Sequence, residues 1–153
     1  MRRLMAISQD GRLLQVKTSL GPTAFVLRRL MVNETLEQSY VMQGELVSSE
    51  PDLEVEASTM IGTQITCTVA WADRGVTRHF HGVISAFGTV DTLLRDYKTF
   101  RFEAAPAFWL LTHTTDCRIF QEKSIQQMIQ TIVDERGVGP VTFTHMPSGT
   151  RPY

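Results

Sequence analysis

The clearest alternation of apolar and polar residues lies in the middle of the chain. From Gln64 to Trp71 apolar residues occupy one set of alternate positions, and Gln or Thr fills the first three positions of the other. This pattern is typical of an antiparallel strand with one buried face. The segment Val76–Phe87 returns after a turn at Asp73–Gly75, so the sequence predicts a β-hairpin. In the return strand, one predicted face holds Phe80, Gly82, Ile84 and Ala86, and the other holds His79, His81, Val83, Ser85 and Phe87.

Four other stretches show shorter or less regular alternation and are also predicted to be strands. They are Arg12–Thr18, Phe25–Leu36, Tyr40–Ser48 and Tyr97–Ala104. In the last of these, Phe100 and Phe102 are expected on the side opposite Arg101 and Glu103. Gly44, in the middle of the third, suggests a bulge or a bend that curls the sheet. The sequence therefore predicts a mainly β fold with some helix, built on an antiparallel β-barrel.

Two connecting segments break the strand pattern. Pro51–Ile61 is expected to contain a short helical turn that brings Leu53, Val55 and Met60 onto the core, with Gly62 ending it. Gly88–Asp96 is expected to be a loop before the last barrel strand.

An amphipathic helix is predicted after the barrel. Ser124 is a good N-cap, and Gln127 three residues later completes a capping box. Gly137 supplies the C-terminal stop. The apolar stripe recurs at helical spacing and consists of Ile125, Met128, Ile129, Ile132 and Val133.

The helix and its flanks suggest a second domain. We expect residues 1–112 to form the barrel and residues 113–153 to begin an α+β domain that is cut short. A short strand is expected at Val141–Thr144, followed by a tail without evident structure.

Composition narrows the classes of partner. The chain has 153 residues, with 15 basic and 16 acidic side chains and a formal net charge of -1. Such a balance gives no general attraction for nucleic acid. The apolar run Leu4–Ile7 is too short for a signal peptide, and no window suits a membrane span. We therefore expect a cytoplasmic protein, with Cys67 and Cys117 as two buried free thiols.

The candidate chemistry is sparse. His79 and His81 share one strand face, and His113 and Cys117 could complete a zinc set if the fold brought the two pairs together. Packed or hydrogen-bonded histidines are the commoner outcome. Asp116 is better explained as a turn cap or as a local ion pair with Arg118, two residues further on, than as a catalytic acid.

Other catalytic and binding motifs are also weak. Four aromatic residues could be imagined as a ligand cage but are more often core: Phe100, Phe102, Phe108 and Trp109. The sequence contains no GxSxG elbow and no Gly-rich phosphate loop. We therefore expect no catalytic, cofactor-binding or metal-binding residues, and no enzyme.

Two segments resemble a known family. RHFHGVISAF at 78–87 and FWLLTHTTDCRIFQEKSIQQMIQTIV at 108–133 are similar to the N-terminal part of type VI secretion spike proteins of the valine-glycine repeat protein G (VgrG) family. That region is in turn similar to the baseplate hub of contractile phage tails. The matching positions include Arg78, Phe80, Gly82, Trp109, Leu110, Leu111, Asp116, Arg118, Ile119, Phe120, Gln121, Lys123 and Ser124. Pro51, Asp52 and Leu53 lie where relatives have a similar acidic and apolar stretch.

The resemblance implies a structural protein without an active site. It implies a homotrimeric hub whose barrels form a pseudo-hexameric ring that docks on the hexameric tube protein, with baseplate components and effectors as further partners. It also implies assembly in the cytoplasm and secretion by the injection machine without a signal peptide. The later domains of VgrG relatives, including the needle, are not expected within these 153 residues.

Two other classes of function remain open at this point. One is a metal-dependent or small-molecule enzyme on a β-barrel that uses His79, His81, His113 and Cys117. The other is a binding module whose barrel holds a partner peptide or an effector.

Overall fold

A computed structural model describes residues 7–50, 53–71, 75–90, 97–144 and 149–151. The chain forms two compact units, Met1–Pro106 and Ala107–Tyr153.

The first unit is an antiparallel barrel that is nearly closed. Its strands are β1 (Leu14–Lys17), β2 (Phe25–Asn33), β3 (Val41–Ser48), β4 (Gln64–Trp71), β5 (Val76–Val90) and β6 (Thr99–Ala105). They form one six-stranded sheet in the order β1-β4-β5-β6-β3-β2. The two end strands, β1 and β2, lie close to each other and bring the sheet round on itself. The predicted mainly β, barrel-like fold class is confirmed.

The predicted hairpin is also confirmed. β4 pairs with β5 from Gln64 opposite Val83 to Trp71 opposite Val76. Ile65 and Cys67 are fully buried, as their alternate positions predict. Residues 72–74 of the turn lie outside the described part of the chain.

The predicted faces of β5 are wrong after Ile84. β6 pairs Ala104 with Ile84 and Glu103 with Ala86, so Ser85 is an extra residue and forms a β-bulge. The bulge reverses the alternation, and Phe87 is buried while Ala86 is exposed. The strand also continues through Gly88 to Val90, where a loop was expected.

A second bulge lies in β2. The pairing with β3 shifts between Leu27 and Arg29, which leaves Arg28 without a partner in the register. Phe25 and Leu27 before the bulge contact the same core as Leu30 and Val32 after it. The irregular alternation of this segment reflects this extra residue and also Val26, which is buried although it lies on the face opposite Phe25 and Leu27.

Gly44 has a packing role and lies in an unbroken register. It pairs with Leu30 on β2 and Phe102 on β6, so the predicted bulge or bend at this residue is wrong. A Cβ at Gly44 would come within 2.5 Å of the Phe102 ring and 2.7 Å of the Arg29 carbonyl oxygen. Glycine is needed here because an aromatic ring lies directly over the strand.

The barrel core combines aromatic rings with aliphatic side chains and one short helix. Phe25, Phe87 and Phe100 are mutual neighbours with ring centroids 5.3 to 6.3 Å apart. Helix α1 (Ala57–Met60) places Met60 in this core with no exposed surface, as predicted. Leu53 and Val55 are partly buried against it, also as predicted. Pro51 and Asp52 lie outside the described residues.

The second unit contains a 3₁₀ helix (Ala107–His113), strand β7 (Lys123–Ser124), helix α2 (Ile125–Arg136) and strand β8 (Thr150–Arg151). The capping box of α2 is present with both of its hydrogen bonds, and Gly137 ends the helix in the left-handed region with φ of 61°. The predicted helix is thus confirmed at both ends. Of its apolar stripe, only Val133 is fully buried.

Three predictions for this unit are wrong. Val141–Thr144 is not a strand, and the short strand is instead β8, which pairs with β7. Phe108 is not in the core, because 55 % of its surface is exposed. Cys117 is an exposed free thiol rather than a buried one.

No helix among the described residues has the length and apolar character needed to cross a membrane.

Candidate functional site

The motif residues of β5 hold the segment between β2 and β3 against the barrel. The Arg78 guanidinium donates to both carboxylate oxygens of Glu34, at 2.6 and 2.7 Å. Its carbon lies 4.5 Å from the centre of the Phe80 ring, which is a cation-π distance. Arg78 therefore links Glu34, which follows β2, to the ring of Phe80 at the edge of the barrel core.

Tyr40 completes this cluster from the other end of the same segment. Its hydroxyl donates to the carbonyl oxygen of His81, and its ring meets Phe80 edge-on at 6.1 Å. Partial burial raises the pKa of Tyr40 above its ordinary value. The phenol thus stays protonated and remains a donor at neutral pH.

Gly82, the third motif residue, is required by close backbone approach. A Cβ at this position would lie 2.6 Å from the carbonyl oxygen of Ala105 and 2.9 Å from the Met42 side chain. Such contacts are shorter than real Cβ atoms show, and the carbonyl cannot rotate away without breaking the sheet. The sequence pattern Arg-x-Phe-x-Gly is therefore accounted for by packing.

The two strand histidines are exposed and bonded to threonines. The Nδ1 atoms of His79 and His81 lie 3.0 and 2.8 Å from the hydroxyls of Thr68 and Thr66 on β4. These four residues are directly opposed pairs in the register. Both histidines therefore take part in hydrogen bonds, which is the role that the sequence favoured over that of a metal ligand.

The other two members of the proposed zinc set belong to the second unit. His113 ends the 3₁₀ helix, and its ring meets Trp109 edge-on at 4.2 Å. Cys117 follows in a segment without regular secondary structure. Within the described parts of the chain, no three His, Cys, Asp or Glu side chains form a group that could hold a metal ion.

Asp116 and Arg118 form the predicted ion pair, and the pair extends to helix α2. Arg118 Nε donates to Asp116 at 2.6 Å, and another guanidinium nitrogen donates to Glu135 on the helix. The hydrogen bond from Arg118 holds the pKa of Asp116 below its ordinary value. Arg118 thus connects the irregular segment that follows the 3₁₀ helix to the last turn of α2.

A row of charged residues on the surface of the barrel could not be recognised from the sequence. Arg29, Glu45 and Arg101 lie opposite one another on β2, β3 and β6. Arg101 reaches Glu45 at 3.4 Å, beside a cavity of about 480 Å³. Sequence reasoning missed this row because its members come from three separate strands, and no local spacing connects them.

The two cysteines should differ strongly in reactivity. Burial raises the pKa of Cys67 to about 12, so the native protein keeps this thiol protonated and shielded. Cys117 is exposed. With a thiol reagent at pH 8, we expect one fast equivalent from Cys117 and a second only on unfolding. Mass spectrometry of labelled peptides identifies the sites, and rapid native labelling of Cys67 would contradict the core described above.

Comparison with known proteins identifies the chain's relatives. Residues 33–153 match the family model described as phage tail baseplate hub (GPD). The chain is 31% identical over 133 residues to the type VI secretion system spike protein VgrG1b of Pseudomonas aeruginosa, covering 87% of this chain and 17% of that protein. VgrG1a of the same organism is 32% identical over 145 residues, covering 95% of this chain and 21% of that protein. The chain thus spans about a fifth of the length of these relatives.

A solved structure shares the fold. An E. coli protein, described as a component of the type VI secretion system with structural similarity to the T4 bacteriophage tail proteins gp27 and gp5, aligns with a TM-score of 0.66. The alignment covers 90% of this chain and 37% of that chain at 17% identity. Together with the sequence matches, it confirms the resemblance to VgrG spike proteins. Because the hub model matches well over half of the chain, the chain belongs to the phage tail baseplate hub (GPD) family.

Proposed function

We propose that the chain is the hub portion of a type VI secretion spike and works as a structural subunit. In this proposal three copies form a ring, and the ring docks on the hexameric tube protein of the injection machine. Baseplate components and effectors are further partners. The family match over residues 33–153 is the observation that carries the proposal.

The described contacts support a structural role. Arg78, Phe80 and Gly82 pack the barrel, and Arg118 joins two segments of the second unit. These motif residues, which a catalytic site could have used, are engaged in packing and ion pairing. We therefore propose that the chain catalyses no reaction and needs no cofactor.

The domain division, the place of assembly and the route of secretion are part of the same proposal. Residues 1–112 form a hub barrel, and residues 113–153 begin a second α+β domain. The compact units divide slightly earlier, between Pro106 and Ala107. Assembly takes place in the cytoplasm, and the machine secretes the protein without a signal peptide.

Native mass spectrometry tests the ring, and co-sedimentation tests the docking. The chain, and a full-length spike protein that contains it, are measured alone and with purified tube hexamers. We expect trimers of the full-length protein and a complex of one trimer with one hexamer. A full-length protein that stays monomeric, or a trimer that never associates with the tube, would refute the corresponding part of the proposal.

A further inference from the structure

A turn that precedes the barrel makes several hydrogen bonds within itself. The Ser8 hydroxyl donates to the Asp10 carboxylate at 2.7 Å and accepts from the Asp10 N–H at 3.0 Å. The Arg12 N–H donates to the carbonyl oxygen of Gln9 at 3.1 Å, and the Arg12 side chain donates to that of Ser8 at 3.0 Å. We call residues 7–12 the strap. Because these bonds are local, the strap can keep its turn when it moves away from the barrel.

One side chain makes the main attachment of the strap to the barrel. The Gln9 amide nitrogen donates to the carbonyl oxygen of Val16 on β1 at 2.7 Å, and the amide oxygen accepts from the Val16 N–H at 2.8 Å. The same nitrogen donates to the carbonyl oxygen of Pro22. A primary amide carries the donor and the acceptor of a peptide group, so the Gln9 side chain satisfies both backbone groups of one strand residue.

The other attachments described for the strap are weaker or single. The Ile7 N–H donates to the carbonyl oxygen of Ser49, just after β3, at 3.0 Å. The Gln15 amide reaches the Gln9 carbonyl oxygen at 3.3 Å. Residues 10–12 are exposed. Segments with few buried contacts open locally at a lower free energy than core strands do, so we expect the strap to open before the barrel unfolds.

The strap also lies beside an apolar pair on the outside of the sheet. Val26 on β2 pairs with Val47 on β3, and both alternate along their strands with residues of the core cluster. They are nevertheless only 3% and 5% exposed. Ile7 lines the same cavity as both valines. Since a side chain on the outer face of a sheet is buried only when something covers it, we attribute part of this cover to the strap.

We propose that the strap opens as a unit while the barrel stays folded, and that the Gln9 side chain is the latch that holds it closed. Opening leaves the backbone groups of Val16 to water and uncovers the Val26–Val47 pair. The barrel thus has a closed and an open state that differ in exposed apolar surface. The proposal goes beyond the hub function and depends on neither a ring nor a tube.

Hydrogen exchange of the 153-residue chain, followed by NMR, tests the latch. In Gln9→Ala the Val16 amide loses its acceptor directly, so the informative amide is that of Ile7, whose acceptor is Ser49. We expect the exchange of Ile7 to rise at least about fivefold, because the bonds of Gln9 no longer oppose opening. The Thr18 amide, which is bonded outside the strap, should stay within about twofold.

Gln43→Ala is the matched control. It removes the same amide group from an exposed residue of β3, where the side chain donates to Glu103. The exchange of the Ile7 amide should not change in this variant.

Val47→Cys reports the uncovering of the apolar pair. With a thiol reagent at pH 8, this introduced thiol should react slowly, and at least about fivefold faster when Gln9→Ala is present in the same chain. Labelling of a covered thiol follows the population of the open state. Cys67, which is buried in the barrel core, should stay protected in every variant. Mass spectrometry of labelled peptides separates the sites.

Three results would overturn the proposal. If Gln9→Ala raised the exchange of Val16 but not of Ile7, the Gln9 side chain would be a local bond and no latch. If the labelling of Cys67 rose in parallel with the exchange of Ile7, the opening would be unfolding of the whole barrel. If the labelling of Val47→Cys did not rise, the strap would not cover the pair. Ring assembly is measured separately, so its failure would not affect these results.

Discussion

Phe100→Ala should lower the free energy of unfolding of the barrel by about 3–5 kcal/mol, the usual cost of removing a buried aromatic ring. The Phe100 ring is 1% exposed and stacks on Phe87 at 5.3 Å. It also meets Phe25 edge-on at 5.5 Å. Its loss removes two aromatic contacts and leaves a cavity in the middle of the core. Urea denaturation followed by intrinsic fluorescence measures the change.

Phe108→Ala is the matched control, since it makes the same truncation at a ring that is 55% exposed. Its effect on the barrel should stay within about 0.5 kcal/mol. Similar losses from the two variants would contradict the assignment of Phe100 to the core and Phe108 to the surface.

Gly82→Ala should destabilise the barrel by about 1–3 kcal/mol, although it adds only one methyl group. The added carbon would lie 2.6 Å from the Ala105 carbonyl oxygen. Relief of that contact requires β5 and β6 to separate where Val83 pairs with Ala105. Thermal unfolding and urea denaturation report the loss.

Gly88→Ala on the same strand is the control for strand propensity. A Cβ at Gly88 meets nothing within 4 Å, and its backbone does not lie in the left-handed region. This variant should therefore be neutral or slightly stabilising, by a few tenths of a kcal/mol. If Gly82→Ala were equally well tolerated, packing would not explain the glycine of the motif.

The elements with long, regular signals could be predicted from the sequence. The β4–β5 hairpin followed from strict alternation, and helix α2 followed from a capping box, an apolar stripe and a terminal glycine. In each case, local residues contain the information. The mainly β class followed because six predicted strands precede the amphipathic helix, and antiparallel strands in such number must cover a shared core.

The errors arose where distant residues decide the structure. The bulge at Ser85 is stabilised by a hydrogen bond from its hydroxyl to the Glu103 carbonyl, and neither residue reveals this pairing in sequence. Gly44 was assigned to a bend because the ring of Phe102 opposite it was unknown. Phe108 belongs to an apolar run that forms a 3₁₀ helix with exposed positions.

The sequence indicated the motif residues but not their roles. Arg78 and Gly82 could be selected through resemblance, yet the ion pair with Glu34 and the approach of Ala105 required coordinates. The two hydrogen bonds between the Gln9 amide and the backbone of Val16 gave no sequence signal either. Gln9 is an ordinary polar residue until the edge of Val16 lies beside it.

The length of β5 has a mechanical consequence. Its first half pairs with β4 and its second half with β6, and the two ladders meet at Val83, two residues before the bulge. A pull that reaches one half of the barrel therefore passes to the other along continuous covalent backbone. This route resists tearing better than a row of hydrogen bonds alone.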